Sequence, residues 1–335
     1  MEKSFKALLV SENPDKSFKR EITQRNISDL PDNEVLIKVH YSALNYKDAL
    51  SASGHKGISR YFPHTPGVDA SGIVESDKSG KFNIGDKVVV TGYDLGMNTS
   101  GGMAEYISVP AKWCVSLPEK LSLHDAMIYG THGMTAAMSI RELIDAGITP
   151  DKGKILVTGA TGGVGSFAVG ILAKLGYEVI ASTGKIDTHS DYLKKLGASE
   201  IIHRDDVIDK SNRPLLSARW VGAIDNVGGK TLTSIINATG QHGAVCIVGL
   251  VENDKVETTV YPFLLRGIKL IGIDSAERSL ELKKNLWHHL ASDWKPDYFN
   301  NMSRTVSLDD IIPEIDTILK GGQVGKVVVD ILSIK

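Results

Sequence analysis

The chain has 335 residues, 42% of them hydrophobic and 23% charged, the make-up of a soluble globular protein with too much chain for one ordinary core. Its 38 basic and 40 acidic residues intermix along the sequence, so no general attraction to nucleic acid or to an anionic membrane is expected. Two cysteines far apart in sequence, Cys114 and Cys246, exclude a disulfide framework and fit a reducing cytoplasm.

Residues 1–10 carry lysines without a long apolar run behind them, so neither a signal peptide nor a membrane span is expected. Residues 34–42 (EVLIKVHYS) alternate with the period of a strand, and 72–75 and 87–91 are short apolar runs bounded by turns. Pro63, Pro66-Gly67, Gly80, Gly85-Asp86 and Gly101-Gly102 punctuate this region. The pattern predicts a compact, barrel-like antiparallel domain over 1–123.

Beyond it the rhythm changes to alternating strand and helix. Residues 124–145 have helical composition, interrupted near Gly130 and Gly133. Strands are expected at 154–158, 177–182, 200–203, 222–225, 244–248 and 268–272, with helices at 164–175 and 190–196. Six strands in that order predict a doubly wound α/β domain with a parallel sheet, over 124–300. The tail, 301–335, ends in an apolar strand at 326–330 that is expected to return to the first domain. No internal repeat is visible.

The segment KILVTGATGGVGS, 154–166, is the strongest motif. A strand feeds a tight glycine turn from which a helix starts, and its unpaired N–H groups and dipole favour a pyrophosphate. Thr161, Gly162, Gly163, Val164 and Gly165 are the expected phosphate contacts, although Ala160 holds the first glycine position of the standard fingerprint. At the end of the next strand stand Ser182, Thr183, Gly184 and Lys185, where an NAD enzyme usually has a carboxylate for the ribose 2′-OH. Two hydroxyls and an ammonium would suit a 2′-phosphate instead, which points to NADPH. Arg204 could add a second cation or pair with Asp205 or Asp206, and Leu250 and Ser275 complete the expected cofactor contacts.

With NYKDA at 45–49, PGVD at 66–69, GGMAEY at 101–106 and GGVG at 162–165 in this order, the chain resembles the medium-chain dehydrogenase/reductase superfamily over essentially its whole length. It is most similar to the quinone-oxidoreductase-like branch and its NADPH-dependent acrylyl-CoA reductases. The resemblance implies a GroES-like first domain, a Rossmann second domain, an active site in the cleft between them and a homodimer joined edge to edge through the nucleotide domains. Zinc members of the superfamily carry Cys and His ligands where this chain has Asn45 and Val68, so no metal is expected. His64, His132, His288 and His289 are read as surface or packing residues.

Without zinc, reducing an alkene conjugated to a carbonyl is the easier chemistry. It needs orientation, donors for the developing enolate and a proton source. Tyr46 is the candidate proton donor or nicotinamide contact, and Asn45 could orient cofactor or substrate. Asp48 is read as the cap of the following helix or as a holder of loop geometry. Lys47, Lys56, Arg60 and Arg266 could contact the phosphates of a CoA thioester, or be solvated charges. The expected activity is reduction of acrylyl-CoA or a related enoyl thioester, with quinone reduction as the alternative enzyme and a non-catalytic NADPH-binding redox sensor as the alternative of another class.

Overall fold

The computed structural model describes residues 3–211 and 213–333. They divide into two compact units. One takes the described residues up to Thr131, 276–291 and the described residues from Ser303; the other takes His132–Ser275 and Ser292–Met302.

The first unit is built on a seven-stranded sheet. Its strands run in the order Ser303–Ser307, Lys326–Asp330, Val35–Leu44, Asp69–Asp77, Lys87–Thr91 and Val115–Ser116, while Tyr106–Val109 pairs separately with Val35–Leu44. All these pairings are antiparallel except that of the two C-terminal strands. The alternation read from residues 34–42 holds: Val35, Ile37 and Val39 are buried, and Leu36 and Lys38 are partly exposed. The tail strand does return here, with Val327 opposite Leu44 and Asp330 opposite Tyr41. Helix Ile311–Leu319 buries Ile311, Ile315 and Ile318, one stripe at helical spacing, in the same core.

The helical stretch Leu123–Asp145 is broken at Gly130, whose φ of 47° and ψ of −151° lie outside the helical region. Gly133 lies within the second helical segment, so the interruption falls at one of the two expected glycines. Residues up to Thr131 stay with the first unit. Residues 276–291, read from sequence as part of the nucleotide domain, also belong to the first unit. Lys283 anchors them: its buried ammonium donates to Thr91 O at 2.8 Å and Ala276 O at 2.9 Å, and lies 3.5 Å from the Tyr93 ring centroid.

The second unit has a six-stranded, wholly parallel sheet, as its alternation of strands and helices predicts. The order is Glu200–His203, Val179–Thr183, Ile155–Val157, Trp220–Asp225, Thr239–Ile247, Lys269–Gly272. The first strand in sequence lies inside the sheet, and the order reverses beside it. In such a sheet all carboxyl ends lie along one edge, and the reversal point opens a crevice there.

Candidate functional site

The glycine turn follows the carboxyl end of Ile155–Val157, at that reversal point. Gly159 makes the left-handed turn, with φ 57°, which explains why Ala160 is tolerated next to it. Gly162 is extended and has no side chain with which to cap the helix Gly163–Lys174, leaving the first N–H groups to an external acceptor. A Cβ on Gly165 would stand 2.3 Å from Gly159 O, so only glycine lets turn and helix approach this closely. The His132 imidazole covers Gly163, where a Cβ would stand 2.1 Å from Nδ1. Thr158 Oγ1 donates to buried Asp225 Oδ1 at 2.6 Å, and Asn226 Nδ2 donates to Thr158 O at 2.7 Å. These bonds clip together the strand ends on either side of the reversal point. A nucleotide pyrophosphate fits this cradle.

The other residues expected at the cofactor lie at or just beyond the carboxyl ends of neighbouring strands: Ser182–Lys185, Arg204, Leu250 and Ser275. They differ in exposure. Ser182 and Thr183 are only 1% and 3% exposed. The Thr183 hydroxyl lies 3.1 Å from that of Thr161 and accepts from the Lys185 backbone N–H at 3.0 Å. The Thr183 hydroxyl therefore also shapes the loop. The accessible cations are Lys185, partly exposed, and Arg204, whose exposed side chain lies over Gly184 and approaches Asp205 Oδ1 at 3.8 Å. Leu250 is 67% exposed and Ser275 partly so.

In the first unit, Asn45 and Asp48 prove to be members of a buried network. Asn45 precedes the helix Tyr46–Ala52, and its backbone N–H donates to Asp48 Oδ2 at 2.8 Å. The other Asp48 oxygen accepts from Val68 N at 2.8 Å. The Asn45 Nδ2 group lies 2.8 Å from Asp69 Oδ2, 3.0 Å from Asp48 Oδ2 and 3.1 Å from Ala43 O, while its Oδ1 accepts from Lys326 Nζ at 2.7 Å. Asn45 is thus held within this network and is 3% exposed. Burial pushes the Asp48 carboxyl up to about 6, with the Asp69 charge adding. Of the three residues expected to be catalytic, Tyr46 alone is accessible, at 53% exposure.

Asp69, Thr131 and Lys326 complete this network and are not singled out by the sequence patterns. Asp69 closes the quoted 66–69 motif, and Lys326 heads an apolar strand where an ammonium needs a partner. Both signals were available, but neither names the partner.

Two of the expected CoA contacts have partners within the chain. Lys56 pairs with Glu12 at 2.7 Å and lies over the rings of Phe18 and Phe62. Arg266 donates to the carbonyls of Asn237, Thr239 and Leu216, bracing the end of helix Gly229–Ala238. Lys47 and Arg60 are exposed. Among the described residues, no group of three or more His, Cys, Asp and Glu side chains is arranged to hold a metal. Nor is any helix among them long and apolar enough to cross a membrane.

Comparison with known proteins matches residues 31–119 to the alcohol dehydrogenase GroES-like domain and 163–292 to the zinc-binding dehydrogenase family. Acrylyl-CoA reductase AcuI of Ruegeria pomeroyi is 42% identical over 328 residues, 98% of this chain and 99% of that one. Bacillus subtilis YhfP, which carries a quinone-oxidoreductase name, has a crystal structure with NAD bound. That structure superposes with a TM-score of 0.95 at 44% identity, covering 98% of this chain and 100% of that one. The yhdH oxidoreductase of Salmonella enterica in complex with NADP gives 0.94 at 39% identity, covering 97% and 99%.

Proposed function

The chain belongs to the medium-chain dehydrogenase/reductase superfamily and is a nicotinamide-dependent oxidoreductase, and from that premise we propose that it uses NADPH, without zinc, to reduce an alkene conjugated to a thioester carbonyl. Acrylyl-CoA or a related enoyl thioester is the proposed substrate. The observation that carries this reading is the accessible Tyr46 side chain, together with Asn45 and Val68 at the positions where zinc relatives have Cys and His. Bound NADPH would supply hydride to the β-carbon. The protein then has to hold the carbonyl oxygen as enolate charge develops and deliver a proton to the α-carbon, and Tyr46 is the group proposed for this. Lys47 and Arg60 are proposed to meet the CoA phosphates.

The choice of NADPH over NADH rests on the loop Ser182–Lys185, which lacks a carboxylate, and on Arg204 over Gly184. The first unit is proposed to carry the substrate and catalytic groups and the second the cofactor. A homodimer is proposed through the edge strand Lys269–Gly272, beside which Val260, Leu264 and Leu265 are 64%, 76% and 59% exposed. A reducing cytoplasm is the proposed location, since Cys114 and Cys246 are free and buried.

The test is NADPH oxidation, followed by absorbance, with acrylyl-CoA, enones and quinones as acceptors. The expected result is the highest kcat/KM with the enoyl thioester. A quinone preference would favour the second reading, which the name of YhfP supports. No turnover with any acceptor would overturn both.

A further inference from the structure

We propose that Lys326 is a positioning residue: its buried ammonium orients the Asn45 amide and thereby holds the first turn of the helix that presents Tyr46. The inference rests on the reading of Tyr46 as the group at the reacting atoms.

Four segments distant in sequence meet around this ammonium. Asn45, Asp48, Asp69 and Lys326 are each no more than 3% exposed. The ammonium donates to Asn45 Oδ1 at 2.7 Å and lies 3.5 Å from Asp69 Oδ2. Asp69 is itself fixed by Thr131, whose N–H lies 2.9 Å from both carboxylate oxygens and whose hydroxyl donates to Oδ1 at 2.6 Å. The helix break supplies the space: a Cβ on Gly130 would stand 2.5 Å from Asp69 Oδ2 and 3.3 Å from Lys326 Nζ.

The bond from Lys326 decides which way the Asn45 amide faces. With Oδ1 toward the ammonium, Nδ2 must face Asp48, Asp69 and Ala43 O, all acceptors. The flipped amide would set two donors against each other and leave its oxygen facing carboxylates. Asn45 then donates its backbone N–H to Asp48, and Tyr46 is the next residue. The chain of contacts runs from the C-terminal strand through one amide to the start of the tyrosine helix. Small displacements of a reacting group cost rate steeply, so losing this orientation should appear in the chemical step before it appears in cofactor binding.

An alternative role as a simple charge partner of Asp69 makes different predictions, and three variants separate the two. Lys326→Met removes the ammonium, Asp69→Asn removes the carboxylate but keeps the ammonium–amide bond, and the double variant removes both charges. Measured as single-turnover hydride transfer at saturating NADPH and enoyl thioester, Lys326→Met should lose about tenfold to a hundredfold, with NADPH affinity little changed. The double variant should be as slow, and Asp69→Asn should lose less. Hydrogen exchange of the amides at 46–49 should rise in both variants lacking Lys326, beyond the rise elsewhere. If Lys326→Met fails to fold, the double variant, with no unpaired buried charge from this pair, carries the comparison. Recovery of rate in the double variant, or exchange at 46–49 that changes only with global stability, would overturn the proposal. Should the wild type reduce no acceptor at all, the proposed activity fails, while the exchange measurement still decides whether Lys326 holds this turn.

Discussion

The Arg204 side chain lies over Gly184, where a Cβ would stand 3.1 Å from Arg204 Cδ and 3.3 Å from Cζ. This brings a second cation to the loop that carries Lys185, at the end of the strand where dinucleotide enzymes discriminate at the ribose. A charge-assisted bond to phosphate contributes about 1.5–3 kcal/mol. Lys185→Ala should therefore raise the dissociation constant for NADPH about tenfold or more, with little change for NADH. Titration of both cofactors by fluorescence checks this. An equal loss for both would make Lys185 a structural residue of the loop.

The contact of His132 with Gly163 makes a second prediction. In Gly163→Ala the new methyl falls 2.1 Å from His132 Nδ1, so the imidazole or the helix start must move. Overpacking of this kind costs about 1–3 kcal/mol. The variant should bind both nicotinamide cofactors more weakly, and His132→Ala in the same chain should restore part of the affinity. Wild-type affinity in the single variant would show that the imidazole can move away without disturbing the phosphate cradle.

Tyr46→Phe removes one hydroxyl from a side chain that is half exposed. If that hydroxyl donates in the transition state, turnover should fall by about 10²–10³ with NADPH and substrate binding nearly unchanged. Weaker NADPH binding with near-normal turnover at saturation would make it a cofactor contact. A full-speed hydride step followed by slow product formation would place it in proton delivery.

Asp48 should make stability pH-dependent. Its carboxyl is raised from 3.8 to about 6 by burial and the Asp69 charge, so the folded state holds this proton more tightly than the unfolded chain. The resulting stabilisation is present below pH 3.8 and is lost as pH rises through about 6. Urea unfolding of wild type and Asp48→Asn between pH 4.5 and 7, taken as the difference between their profiles, isolates this group. The wild type should lose stability relative to the variant as pH rises, and a flat difference would contradict the shift.

Elemental analysis of the purified protein should find no stoichiometric zinc, and chelators should leave turnover unchanged. One zinc per chain would overturn the proposed metal-free chemistry.

Local pattern was enough to read the architecture. The alternation at 34–42, the apolar run at 326–330 and the glycine turn at 158–165 each express a backbone requirement that neighbours in sequence satisfy. The parallel sheet follows from strands separated by helices, and the glycines reveal where chain approaches chain. Even the helix break at Gly130 was visible as one of two candidates.

Tertiary structure alone decided which polar groups meet. Asn45, Asp69, Thr131 and Lys326 are brought together by strand pairing and by the broken helix, and no spacing in the sequence encodes that convergence. The same holds for Arg266, whose charge is consumed by three backbone carbonyls, and for Lys56, held by Glu12 and two rings. A side chain's chemistry is local, but burial and partners are set by chain folded against it from far away. Sequence therefore shows which groups can act, and the fold decides which of them remain free to do so.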